Sequence, residues 1–319
     1  VNARILLAIV LAVATAAFVA CSGEKSESGL GEPIRVRNGV FKEGPLPGAP
    51  PAPGPGPGTS ITAIETASTV LRPGQGEKTL AGRASVGSVA IAIAVAGLGR
   101  GHWLLPVDGP DPLNNGELGW QALVEIARDV PPGPKELRIV AIDAAGHAGT
   151  QSALTVCVPR LVPDNLNACD PANPPPAAVV SLTWDTPVDL DLVAITPDGR
   201  VIDAKHPRGG LVDAGADGGT STPPTIDRDS NAACSLDRVQ QEDLVFADPP
   251  APGSYLLFAN LFDACERAPV HFRLSVSVRQ TGLDGKLTLV ETESKSGTLT
   301  AVDANGGAKL GTYVTEVAF

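Results

Sequence analysis

The chain has 319 residues, 43% of them hydrophobic and 4% aromatic, with 24 Lys and Arg against 35 Asp and Glu for a formal net charge of −11. A surface this acidic repels phosphate backbones and excludes nucleic acid as the expected ligand. The apolar content suffices for two cores of ordinary size, while so few aromatic side chains leave little material for a sugar-stacking platform.

Residues 1–20 carry one charge, Arg4, ahead of an apolar run over 5–20 that ends at Cys21, the layout of a secretory signal. Polar Ser22-Gly23-Glu24-Lys25 follows at once. The run therefore stops short of the about 20 apolar residues that an uncleaved membrane helix needs. Phe18-Val19-Ala20-Cys21 resembles the lipobox of bacterial lipoproteins, with Phe18 where Leu is usual. The resemblance implies cleavage after residue 20 and three acyl chains, palmitate among them, on a new N-terminal Cys21. Each buried CH₂ then contributes about 0.8 kcal/mol, and anchoring becomes effectively permanent. Ser22 lacks the Asp that retains enteric lipoproteins at the inner membrane, so the resemblance points to the outer membrane of the cell envelope. Without residues 1–20, and hence without Arg4, the net charge is −12.

Residues 22–58 are polar and then dominated by Pro and Gly between Pro45 and Gly58, a composition that cannot bury a core. The segment 21–58 is expected to be a flexible tether, on the order of 30 Å long as a coil and about 100 Å if extended.

From 59 to 160 the pattern is one of short strands and turns. Val89, Ile91, Ile93 and Val95 alternate with Ala, and further apolar segments follow at 103–105, 120–126 and 136–142. The run 89–98, bounded by Arg83 and Arg100, is too short to cross a bilayer and reads as a buried strand. Gly119-Trp120-Gln121-Ala122-Leu123-Val124, Pro132-Gly133-Pro134 and the closing Ala141-Ile142-Asp143-Ala144-Ala145-Gly146-His147-Ala148-Gly149 resemble bacterial immunoglobulin-like modules, with His147 in place of Asn. That resemblance implies a β-sandwich of about 100 residues.

A connector over 161–178, with Pro163, Pro171 and Pro174-Pro175-Pro176, leads to a second β segment over 179–319. There Val180-Ser181-Leu182-Thr183-Trp184 precedes Val188-Asp189-Leu190-Asp191-Leu192, the turn Thr196-Pro197-Asp198-Gly199 and the strand Gly253-Ser254-Tyr255-Leu256. This order resembles YfaP-like β-sandwiches of exported bacterial proteins and is similar to pre-peptidase C-terminal domains, neither of which supplies catalytic residues. The tail alternates over 286–291, 297–302 and 312–319, expected as closing strands. The fold class is all-β: two sandwich domains in tandem behind a lipoprotein signal and a tether. Trp103, Trp120 and Trp184 are expected in the cores.

Four cysteines follow Cys21, and an even count in an exported chain favours disulfides over metal ligands. Three pairings are possible; chain proximity and the two-domain division favour Cys157–Cys169 and Cys234–Cys265, each stabilising by roughly 3 kcal/mol.

Asp189 and Asp191 lie two apart in a strand, so their carboxylates leave the same face and repel. Asp227-Arg228-Asp229-Ser230-Asn231 places oxygens at alternate positions, like the opening of a calcium loop, although Ala232 and Arg238 stand where an EF-hand has Gly and Glu. Asp189, Asp191, Asp227, Asp229 and Asn231, completed by Glu242, form an all-oxygen set suited to Ca²⁺. The same residues also fit an acidic, solvated loop. His102, His147, His206 and His271 show no ligand spacing, and no nucleophile elbow is present. The expected role is a lipid-anchored binding or structural protein with an envelope protein or glycan as partner, not an enzyme. The alternative is an envelope hydrolase whose site is not recognisable in the sequence.

Overall fold

The computed structural model describes residues 28–52, 58–74, 78–209, 222–237 and 239–319. Cys21 and the signal-like segment lie outside these. Every strand ladder among the described residues is antiparallel, and no α-helix occurs there.

The first sandwich joins two sheets. One runs β1 (Ile34–Val36), β8 (Glu117–Ile126), β4 (Lys78–Ser85) and β3 (Ile61–Glu65), with β7 (Gly109–Pro110) also on β8. The other runs β10 (Ser152–Val158), β9 (Gly133–Asp143), β5 (Ser88–Val95), β6 (Gly101–Pro106) and β2 (Val40–Glu43). Alternation places Trp120, Ala122, Val124 and Ile126 of β8 on the inner face, opposite Ile91, Ile93 and Val95 of β5. Gly82 of β4 sits directly beside Trp120, and a Cβ there would lie 2.1 Å from the Ala63 carbonyl oxygen. A side chain at this position would force β3 and β4 apart.

The second sandwich repeats the plan. Its first sheet is β14 (Thr225–Ile226), β15 (Gln241–Phe246), β11 (Ala178–Trp184), β17 (Val270–Thr281) and β18 (Leu287–Leu299). The second sheet is β13 (Val201–Ile202), β12 (Asp189–Ile195), β16 (Ser254–Asp263) and β19 (Thr312–Ala318). Leu182, Trp184, Leu190, Leu192, Leu257 and Leu274 meet between the layers. All three tryptophans are buried.

Two expectations change. The segment 21–58 is not tether throughout, because β1 pairs with β8 and β2 with β6, and Ile34 and Val36 are buried in the first core. Even the Pro-rich part from 46 to 49 is tied down: Gln151 Nε2 donates to the carbonyls of Leu46, Pro47 and Gly48. Ile34-Arg35-Val36 is a period-two segment too short to stand out beside the Pro- and Gly-rich segment 45–58. In the tail, 286–291 and 297–302 are not two strands. A bulge between Val276 and Ser277 lets β18 continue as one strand along β17, and Val302 falls in a 3₁₀ turn, exposed.

Disulfides join Cys157 to Cys169 and Cys234 to Cys265. The first ties β10 to the connector, whose buried Asp164 accepts the N–H groups of Leu166 and Ala168. Gln241 Nε2 of β15 donates to the connector's Leu161 carbonyl at 2.9 Å.

Candidate metal centre

Strand β12 sends Leu190, Leu192 and Ala194 into the core, so Asp189 and Asp191 leave by the opposite face. That face is covered. Asp189 is 2% exposed and Asp191 7%. Asp229, from the loop after β14, completes a cluster in which one oxygen of each carboxylate lies within 4.8 Å of the others. They border a cavity of about 460 Å³ that Asp203 and Asn260 also line.

The partners of these carboxylates are few. Ala233 N–H donates to Asp189 Oδ2 at 2.7 Å, from the 3₁₀ turn Ala232–Cys234. Asn260 faces Asp191 across the β12–β16 ladder and donates to its Oδ2 at 3.2 Å, while its own carbonyl accepts from Asn305 at 2.6 Å. Among the described residues no Lys, Arg or His forms an ion pair with any of the three acids. Lys205 borders the cavity but holds its ammonium over the Phe262 ring, 5.2 Å from the centroid.

Burial without a cation shifts these groups. Loss of hydration raises Asp189 to about 6, with Asp229 and Asp263 repelling it further. Asp191 rises to about 7 through burial and then through the charges of Asp189 and Asp229. Asp229, although exposed, is raised as well, by partial loss of hydration and by Asp237.

The other three residues of the expected set have different tasks. Asp227 pairs with Arg228 and accepts the Asp243 N–H, because the chain there is still running alongside β15. Asn231 adopts a left-handed conformation with φ 61°, donates to the Val188 carbonyl and accepts from Asp237 N–H, which turns its amide away from the cluster. Glu242 is fully buried between the sheets, and its two oxygens accept the N–H groups of Leu192 and Ser230. Strand β13 reaches only Ala194 and Ile195, and Glu242 takes the N–H that lies beyond it. Burial raises Glu242 well above the usual carboxylate range, with Asp191 adding to it. Alternate oxygens over 227–231 therefore do not converge as a calcium loop would. The cluster joins two strand residues to one loop residue.

Nothing in the sequence marks Asn260 or Asp203 as part of the cluster; only the ladder of β12 on β16 brings Asn260 to Asp191. A second buried acid, Asp243, lies on β15. It takes hydrogen bonds from Ser181 and Gln241, and burial next to Asp227 raises it to about 7. Cys234, Asp263 and Cys265 also lie together, but both sulfurs belong to the disulfide and cannot serve as thiolates.

The histidines do not assemble a triad among the described residues. His271 Nδ1 lies 2.8 Å from Thr298 Oγ1, yet Asp185 accepts the backbone N–H of His271 and the Thr186 hydroxyl instead of the imidazole. His147 and His206 pair with Asp143 and Asp203 on the surface.

No family model matches the chain and no curated protein matches it. Among solved structures, the major pilin subunit BcpA of Bacillus cereus is similar at 10% identity and a TM-score of 0.21, covering 77% of this chain and 67% of that one. The C-terminal domain of the AgI/II polypeptide BspA of Streptococcus agalactiae gives 10% identity and a TM-score of 0.22, covering 75% of this chain and 98% of that one. With scores this low, the fold assignment rests on the strand pairing above, and neither likeness bears on function.

Proposed function

We propose that the protein is an exported binding or structural component of the bacterial cell envelope, lipid-anchored at Cys21, whose second sandwich holds Ca²⁺ between Asp189, Asp191 and Asp229. The observation that carries the calcium reading is the convergence of three carboxylates, two of them nearly inaccessible, with no basic partner among the described residues. Repulsion among them is severe in a low-dielectric site, and a divalent cation converts it to attraction. Oxygen-only ligands select a hard cation, and the adjoining cavity leaves room for waters to complete six to eight ligands. Export is supported by the two disulfides, which form and persist outside the reducing cytoplasm. No helix among the described residues is long and apolar enough to cross a membrane.

The test of the metal site is thermal unfolding of residues 22–319 at about pH 7.5 with CaCl₂ and then with EGTA. Binding to the folded state alone should stabilise by about 2.7 kcal/mol at a hundredfold excess over Kd. A Kd of roughly 10⁻⁴ to 10⁻³ M is expected for an extracellular site. The double variant Asp189→Asn/Asp191→Asn should lose the whole calcium shift; equal midpoints in calcium and EGTA for the unmodified protein would remove the site. The anchor is tested separately. A fatty-acid analogue fed to cells should label the protein and fail to label Cys21→Ser, which should accumulate unprocessed or released.

A further inference from the structure

A cavity of about 720 Å³, separate from the acidic one, lies in a cleft where the second sandwich faces the first. Its floor is the outer face of the β14-β15-β11-β17-β18 sheet. Gln241, Thr183, Arg273 and Ser296 stand in one row across β15, β11, β17 and β18, and His271 with Thr298 forms the next row toward one end. Arg72, Arg128 and Arg160 of the first sandwich also border the cleft.

Five arginines thus border one cleft of a protein whose net charge is −11: Arg72, Arg128, Arg160, Arg228 and Arg273. Three are partly neutralised, Arg160 by Asp164 at 3.7 Å, Arg228 by Asp227 and Arg273 by Glu291. Arg72 and Arg128 have no carboxylate partner among the described residues, and Arg128 reaches only the Gln240 side chain, at 3.3 Å. The single acid on the wall, Asp185, is already engaged by the His271 N–H and the Thr186 hydroxyl. The cleft therefore holds a local excess of positive charge within an acidic surface, and the walls concentrate its field.

From this geometry we infer that the cleft binds an acidic oligosaccharide, one whose sugar rings carry carboxylates. Guanidinium forks match carboxylates two bonds at a time. The Ser296 hydroxyl suits a sugar hydroxyl, while Thr183, Thr298, Gln240 and Gln241 already bond within the protein and offer a ligand only their remaining donor and acceptor positions. Cleft volume lies in the range of ligand sites. A neutral glycan fits less well, because Trp184 and Phe272 are packed into the core and offer no open ring for stacking. An acidic peptide would meet the same arginines but would gain no backbone ladder bonds, because this floor is a sheet face whose ladder bonds are already made.

This inference is independent of the calcium site, and its test is run in EDTA so that metal bridging contributes nothing. Titration calorimetry of the chain from residue 22 onward with oligogalacturonate should show binding that weakens as salt is raised from about 0.05 to 0.5 M. The variant Arg72→Ala/Arg128→Ala should weaken it by about tenfold or more. Because Arg128 also touches Gln240, the single variant Arg72→Ala serves as the second probe; it should weaken binding several-fold with an unchanged thermal midpoint. Unchanged affinity in both variants would overturn the site. Equal binding of polyglutamate would overturn the glycan assignment, and equal binding of a neutral dextran oligomer would overturn the role of charge.

Discussion

Lowering the pH from 8 to 5 should stabilise the calcium-free protein, the opposite of ordinary acid denaturation. Asp189 is raised to about 6, and Asp191 and Asp243 to about 7, all through burial. In the unfolded chain the same groups ionise near 4. Above pH 7 these three groups are unprotonated in both states and the folded state carries the cost of their burial, to which buried Glu242, raised well above the usual carboxylate range, adds in the same direction. As pH falls through 7 and 6 the folded state takes up protons that the unfolded state does not, so stability rises; this contribution levels off below about 4, where acids lowered in the fold, such as Asp185 and Asp198, begin to take stability away. Each pKa unit corresponds to about 1.4 kcal/mol. Asp191 alone therefore contributes on the order of 3 kcal/mol, and the coupled groups together more than one but less than their sum. Urea unfolding at pH 5, 6, 7 and 8 in EGTA measures it. Asp191→Asn should flatten the slope and stabilise the calcium-free protein at pH 8, and saturating calcium should raise the high-pH end most. A stability that rises steadily with pH in EGTA would contradict the burial of these charges.

Loss of the Cys234–Cys265 disulfide should cost the second sandwich stability and, with it, calcium. The bond closes a loop of sequence separation 31. Releasing that constraint from the unfolded chain is worth about 3–4 kcal/mol on the chain-entropy account. Cys234 also ends the 3₁₀ turn whose Ala233 N–H is bonded to Asp189, and Cys265 lies two residues beyond the β16 strand that carries Asn260. Cutting the link frees the loop that presents Asp229. Cys234→Ser/Cys265→Ser should thus lower the thermal midpoint and weaken calcium binding more than Cys157→Ser/Cys169→Ser, whose bond closes a separation of only 12 on the first sandwich and connector. Calorimetric calcium titration of the two double variants separates these effects. Equal calcium affinities in both would detach the Cys234–Cys265 bond from the site.

Period-two alternation was sufficient to place β5, β8, β9, β11, β12, β16 and β17, because a strand with one buried face writes its orientation into every second residue. It likewise required Asp189 and Asp191 to share a face, and the even cysteine count with short spacings led to the two bonds that the fold contains. It could not reveal β1 and β2, whose few residues gain their burial only from β8 and β6, far along the chain. Neither could it separate Asp229 from Asp227 and Asn231: five consecutive residues look alike in sequence, but the left-handed turn at Asn231 and the pairing of Asp227 with β15 send their side chains in different directions. Glu242 looked like a ligand because it is an acid near the loop, and its seat between the sheets is set by β12 and β13, which lie before it in the chain. The arginine cleft was invisible for the same reason. Arg72, Arg128, Arg160, Arg228 and Arg273 are scattered over two hundred residues of sequence, and only the meeting of one sandwich with the face of the other makes them neighbours of a single cavity.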